Sequence, residues 1–95
     1  MAKPAAITEH RITDHARQEM VRRQISEADV AQVLSAAEQS EPVREGREIF
    51  QSRIEIGEPP KTYLLRVFVD IQGKPPEVVT VYRTSKISKY WRTGS

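Results

Sequence analysis

The hydrophobic period of this sequence changes from 3.6 residues to 2 residues along the chain, and this change constrains the fold more than any other feature. In the first part, apolar side chains recur at the i, i+3, i+4 and i+7 positions of one helix face: Val30, Val33, Leu34 and Ala37. In the later part, every second side chain belongs to one half-buried strand face: Phe50, Ser52, Ile54 and Ile56. This order predicts an α+β domain in which helices come first and cover a face of an antiparallel sheet.

Two helices are predicted from their starting residues. Thr13 is a favourable N-cap and predicts a helix over 14–23. Ser26 caps the next element, and Asp29 occupies the acidic position of a capping box, which predicts a second helix over 27–38. A tight turn is expected between these two short helices.

The rest of the chain predicts strands separated by turns. Residues 39–46 are polar, contain a proline and a glycine, and are interpreted as the connection out of the helices. The predicted strands cover 50–56, 63–71 and 78–82, with turns at 57–60 and 72–76. Short turns between consecutive strands favour an antiparallel meander of three strands. Residues 84–95 would add a fourth strand, form a helical turn or remain a loose tail.

Length and composition predict one domain over residues 1–95, with residues 1–12 as a loose N-terminus and residues 84–95 as a basic C-terminal segment. A chain of 95 residues has a thin core, so we expect a partner chain, or a second copy in a homodimer, to add stability. The absence of cysteine excludes disulfides and thiolate metal sites. No apolar run has the length of a membrane span, and no secretory signal is recognisable, so we expect a cytoplasmic protein without membrane contact.

Basic residues are concentrated toward the end of the chain. The formal net charge is +2, and ten of the 15 basic residues are arginines, the side chain best suited to bidentate phosphate contact. After residue 79 the sequence has no acidic side chain but has four basic ones and the rings of Tyr82, Tyr90 and Trp91. This combination predicts a nucleic-acid surface, because phosphates need cations and bases need stacking partners. The predicted binding residues are Lys86, Lys89, Tyr90 and Arg92. A solvated, frayed C-terminus is the alternative.

Motifs of high specificity for nucleotides, metals or a nucleophilic serine do not occur in the sequence. His10 and His15 are five residues apart and do not project together as a metal-binding pair would. Neither a metal site nor a cofactor is therefore predicted.

Four residues form the predicted catalytic set: His15, Arg66, Tyr82 and Arg83. His15 lies near the start of the first helix as a candidate base, with a structural histidine as the alternative. Arg66 lies in mid-strand among apolar residues, where a charge needs an explanation. Its apolar stem packs while the guanidinium reaches solvent, or it pairs with Asp70, or it lines a phosphate-binding surface. Tyr82 and Arg83 would lie near Arg66 if their strands are neighbours.

RNA cleavage without a metal ion fits this set of residues. A base removes the 2′-hydroxyl proton, cations stabilise the phosphate, and an acid protonates the leaving 5′ oxygen. His15 or a glutamate would be the base, Arg66 and Arg83 the phosphate clamps, and Tyr82 or Lys86 the proton donor. A single site of this kind requires His15 and Arg66 to approach each other. The same residues would also bind RNA without cutting it.

A pattern of spaced residues extends from Thr13 to Lys86. It consists of His15, Ala16, Met20, Arg23, Ile25, Ser26, Asp29 and Val30, followed by Leu65-Arg66-Val67 and Val79-Thr80-Val81-Tyr82. It resembles a bacterial family known only as a domain of unknown function and grouped with small toxin-like proteins. Members of that family often carry a basic residue at the position of Glu19 and a glycine at the position of Gln24, so we expect a different inter-helix turn here.

The element order of this family is similar to that of RelE-like and BrnT-like toxins, which act on RNA at or near the ribosome and are neutralised by an antitoxin. The resemblance implies a RelE-like fold, endoribonuclease activity, and RNA or the ribosome and a cognate antitoxin as partners. Two alternatives stay open. One is a non-catalytic module that binds nucleic acid or protein through the basic C-terminal segment. The other is an interaction domain whose predicted strand 50–56 offers its edge to a partner chain.

Overall fold

A computed structural model describes residues 4–93 of the chain. Its strands and helices, numbered in chain order, are β1 Arg11–Ile12, α1 Asp14–Arg23, α2 Glu27–Ala36, β2 Gln39–Arg44, β3 Arg47–Ile56, β4 Lys61–Asp70, β5 Glu77–Thr84 and α3 Ile87–Tyr90. The prediction of an α+β domain in which two helices precede the main strands is confirmed.

The described strands form one sheet in the order β1-β5-β4-β3-β2. β1 runs parallel to β5, and the other three pairings are antiparallel. The prediction of a purely antiparallel sheet of three or four strands is therefore wrong, because the sheet is mixed and has five strands. The antiparallel meander does exist within it, as β3, β4 and β5.

Both additional strands carry weak sequence signals. β2 falls in the segment interpreted as a connection, because it pairs on one side only and most of its side chains are polar or exposed. β1 has two residues, too few to show a period, and lies in the N-terminal segment expected to be loose. In that same segment the Ile7 N–H donates to the Leu34 carbonyl at 2.8 Å. Since β2 covers β3, the strand expected to offer a free edge lies inside the sheet.

Side-chain caps define the starts of α1 and α2. Thr13 Oγ1 accepts the Ala16 N–H at 3.2 Å, and Ser26 Oγ accepts the Asp29 N–H at 3.0 Å. Gln24 ends α1 in the left-handed region with φ 56°, which glycine adopts at the lowest cost. Within residues 4–93, no helix combines the length and apolar character needed to cross a membrane.

The two faces of the sheet meet different layers. α1 and α2 pack on one face, and the core there is formed by Ala16, Met20, Ile25, Val30, Val33, Leu34, Ala37, Phe50, Leu65, Val67, Val69, Val78 and Val81. The alternate residues of the central strands point to the other face, including the cross-strand neighbours Gln51, Arg66 and Tyr82. Residues 87–93, which contain α3 and which we call the C-terminal strap, lie over this second face.

The helix layer also closes the outer edge of β5. β1 pairs only with the first two residues of β5, so the rest of that edge needs other hydrogen-bond partners. Glu19 Oε1 accepts the Val81 N–H at 3.3 Å, and Arg23 Nη1 donates to the Val81 carbonyl at 3.0 Å. Side chains of α1 therefore take the place of a neighbouring strand, which accounts for the burial of the Glu19 carboxylate.

Candidate functional site

Three polar side chains form a row across the sheet face beneath the strap. Gln51 on β3 is the register partner of Arg66 on β4, and Arg66 is the register partner of Tyr82 on β5. Antiparallel register partners have neighbouring side chains on the same face, so the three functional groups meet. Arg66 is only 5% exposed. A buried guanidinium at the centre of a sheet requires dedicated partners.

The nitrogen atoms of Arg66 each face a different group. Nε donates to Gln51 Oε1 at 2.9 Å, Nη1 donates to the Tyr82 hydroxyl, and Nη2 lies 3.7 Å from Glu41 Oε1. Only the last group is a carboxylate, and at 3.7 Å it is beyond hydrogen-bond distance. The positive charge of Arg66 is therefore hydrogen-bonded mainly to neutral groups, which is the state of an arginine able to accept an anion.

The strap covers Arg66 and is fastened by amide side chains. The Tyr90 ring lies with its centre 4.2 Å from Arg66 Cζ, and Gln51 Nε2 donates to the Tyr90 carbonyl at 3.3 Å. Gln39 binds the backbone of Arg92 twice, donating to its carbonyl at 2.6 Å and accepting its N–H at 3.1 Å. Of the alternatives for the C-terminal segment, the helical turn is the one present, as α3.

A pair of phenol rings in contact extends the row from Arg66. The rings of Tyr82 and Tyr90 meet edge to face, with centres 6.3 Å apart. The hydrogen bond from Tyr82 lowers the pKa of Tyr90, because it stabilises the phenolate. Burial raises the pKa of Tyr82. The two phenols thus have pKa values shifted in opposite directions, an arrangement suited to one proton acceptor and one proton donor.

The structure brings four of the predicted site residues together: Arg66, Tyr82, Tyr90 and Arg92. Lys89 lies next to them, with Nζ 5.4 Å from the centre of the Tyr90 ring. Lys86 is exposed at the start of α3, where its N–H donates to Thr84 Oγ1 at 3.1 Å.

His15 and Arg83 belong to the opposite side of the sheet. Arg83 follows Tyr82 in the strand and points to the helix face, where Nη2 donates to the Arg23 carbonyl at 3.1 Å. The His15 side chain is 70% exposed on α1, with Nε2 3.5 Å from Glu19 Oε2. The structure therefore does not bring His15 or Arg83 to the Arg66 guanidinium.

Sequence reasoning missed three residues of the site: Gln39, Glu41 and Gln51. Alternation along β3 placed Gln51 on a polar face. A polar face that packs beneath another segment of the protein has the same alternating sequence as a polar face exposed to water, so the pattern does not reveal the site. Gln39 and Glu41 lie in β2, which was not predicted. Among the described residues there is no group of three or more His, Cys, Asp or Glu that could hold a metal ion.

Comparison with known proteins identifies a family for most of the chain. The model of a family described as Domain of unknown function (DUF4258) matches residues 12–83. The matched range includes Gln51, Arg66 and Tyr82 and stops before the strap. No curated protein and no solved structure matched the chain.

Proposed function

The chain belongs to the DUF4258 family of unknown function, and we propose that it binds RNA and cleaves the phosphodiester backbone without a metal ion. One observation carries this proposal: a buried arginine donates to the Tyr82 hydroxyl and lies against the ring of a second phenol, Tyr90. Arg66 would stabilise the charge that develops on the phosphate, and the phenols would move the protons.

The proposed reaction uses each phenol once. The Tyr90 phenolate takes the proton of the 2′-hydroxyl, whose oxygen attacks phosphorus. The bond from phosphorus to the 5′ oxygen then breaks, and Tyr82 gives its proton to the leaving oxygen. A 2′,3′-cyclic phosphate and a 5′-hydroxyl result. Proton transfer from Tyr90 to Tyr82 restores the starting state.

The biological setting follows from the resemblance to RelE-like and BrnT-like toxins. We propose a cytoplasmic toxin that acts on free or ribosome-bound RNA and is neutralised by a separate antitoxin. The basic and aromatic strap suits an acidic partner segment, since Lys86, Lys89 and Arg92 are all exposed. A homodimer remains an expectation from the small size of the core.

A second candidate is a module that binds nucleic acid without cutting it. It is favoured by the burial of Arg66, because a guanidinium that is 5% exposed does not meet a phosphate while the strap is in place. The exposed strap cations would then supply a binding surface whose affinity falls with salt.

The test is cleavage of an RNA oligonucleotide by purified wild type and by Arg66→Met, Tyr90→Phe and the charge-matched control Arg22→Met, which changes an exposed residue of α1. Circular dichroism checks the folding of each variant. We expect Arg66→Met to lose about 100-fold or more of the rate. Arg22→Met should cut like the wild type. His15→Ala is a further variant and should also retain cleavage. Loss of cleavage in this variant would point to a second site on α1.

The pH dependence separates the role of Tyr90 from a packing role. The wild-type rate should rise with pH up to the lowered pKa of Tyr90, because the phenolate is the base, and fall above the raised pKa of Tyr82. Tyr90→Phe should lack the rise after the background hydrolysis of RNA is subtracted. RNA that is bound in a salt-sensitive way yet stays intact would establish the second candidate instead. Absence of both binding and cleavage would refute both.

A further inference from the structure

Two arginines converge on one carboxylate at the site. Glu41 Oε1 lies 3.7 Å from Arg66 Nη2, and Glu41 Oε2 is paired with Arg92 Nη1. Guanidinium groups on two sides of an oxyanion form the arrangement that proteins use to hold a phosphate. The Glu41 side chain is 27% exposed, so this position can be reached from solvent, unlike Arg66.

The strap blocks the direct approach to Arg66. The Tyr90 ring covers the guanidinium, and the backbone of Arg92 is bound to Gln39 beside Glu41. A phosphate that is to bind Arg66 Nη2 must therefore displace the Glu41 carboxylate and loosen the Arg92 end of the strap.

The contacts that hold the strap are polar and reversible. α3 contains no buried residue, so little buried apolar surface becomes exposed to water when the strap loosens. Its fastenings are hydrogen bonds to Gln39 and Gln51, the ion pair of Arg92 with Glu41, and the Trp91 ring, whose centre is 4.3 Å from Arg53 Cζ. Segments held by few apolar contacts open locally without unfolding the domain.

We propose that the Glu41 carboxylate occupies the position of an RNA phosphate, so that RNA binds by displacing Glu41 from Arg66 and Arg92 and by releasing the Arg92 backbone from Gln39, while Tyr90 stays beside Tyr82. This inference rests on the proposed function, because it assigns the phosphate position of that same site. Loss of the Glu41 carboxylate removes the internal competitor and one fastening of the strap together. Apparent affinity for RNA is reduced by the fraction of molecules in the closed state, so removing the competitor raises it.

The experiment compares Glu41→Gln with Glu55→Gln, which removes the same charge from an exposed position near the end of β3. The probe is a fluorescent 2′-O-methyl RNA oligonucleotide, which cannot be cleaved, and binding is measured by anisotropy at one ionic strength. We expect Glu41→Gln to bind about tenfold more tightly than the wild type, because its population of the open state is larger. Glu55→Gln should bind within about twofold of the wild type.

A second measurement in the wild type does not depend on how well any variant folds. The Arg92 N–H is bonded to Gln39 when the strap is closed, so its hydrogen exchange reports opening. Addition of RNA should accelerate this exchange, and unchanged or slower exchange on saturation with RNA would overturn the inference.

The outcomes separate this inference from the function on which it rests. If the wild type and Glu41→Gln bind RNA equally while Arg66→Met loses binding, the phosphate site stands and the displacement of Glu41 is refuted. If neither the wild type nor Glu41→Gln binds RNA, the proposed function itself fails, and the assignment of Glu41 fails with it.

Discussion

At the centre of the sheet, neighbouring residues of β4 are buried on opposite faces but are covered by different kinds of contact. Leu65 and Arg66 are adjacent in β4, with exposures of 0% and 5%. Leu65 lies in an apolar core beneath two helices of ten residues each, whereas Arg66 lies beneath a strap with a four-residue helix that has no buried residue. Low exposure therefore marks an apolar core at Leu65 and a closed polar site at Arg66.

This difference has an energetic consequence. Burial of apolar surface adds free energy of folding in proportion to the area removed from water. Hydrogen bonds and ion pairs formed on folding replace contacts that the same groups make with water in the unfolded chain. They therefore contribute far less to the free energy of unfolding. We therefore expect the helix face to set the stability of the domain and the strap face to open at small cost.

The largest expected effect is that of a cavity on the helix face. Leu34 is completely buried in α2, and Leu34→Ala should lower the free energy of unfolding by about 3 kcal/mol. Urea denaturation measures this loss, and Val21→Ala is the control, because Val21 is 75% exposed on α1. A loss below about 1 kcal/mol for Leu34→Ala would break the comparison, since the helix layer would then not dominate stability.

A smaller effect is expected from the strap. Trp91 is partly buried, and its ring stacks on Arg53. Trp91→Ala removes this contact and should lower the free energy of unfolding by about 1 kcal/mol. The same urea titration compares it directly with Leu34→Ala. A cost equal to that of the core variant would mean that the strap is a structural layer and does not lift as a cover.

The same contrast explains how much of the fold was predictable from sequence. Caps and a 3.6-residue period predicted α1 to its ends and α2 to within two residues of its end, because each helix buries a single stripe. The central strands were predicted because their apolar face alternates. β1 and β2 were not predicted, because both are formed by pairing with other strands and neither has a clear local hydrophobic pattern.

The candidate site was predictable only in part, for a related reason. Arg66 stood out because a charge in an apolar strand is costly, and Tyr82 followed from the expectation that the two strands are neighbours. Arg83 was assigned to the same site although strand alternation sends it to the opposite face from Tyr82. The roles of Gln39 and Glu41 depend on where the strap lies, and local sequence patterns do not encode that position.

The smallest expected effect tests whether ion pairs on the strap face add stability where the strap does not reach. Asp70 lies on this face at the end of β4, where Arg47 Nε is 2.6 Å from Asp70 Oδ1. Hydrogen bonding to Arg47 lowers the pKa of Asp70 below its ordinary value of 3.8. The folded state therefore favours the carboxylate, so this stabilisation is present above the ordinary pKa and is lost as the pH falls through the lowered one.

Asp70→Asn should cost only about 0.5 kcal/mol at neutral pH, because both side chains are partly exposed and water screens the pair. The difference from wild type should vanish in acid, where the wild-type carboxyl is protonated as well. Urea titrations of both proteins at neutral and acidic pH measure this convergence. A difference that persists in acid would show that Asp70 acts through packing. A cost near 3 kcal/mol at neutral pH would place a polar contact of the strap face on a par with the apolar core and remove the contrast between the two faces.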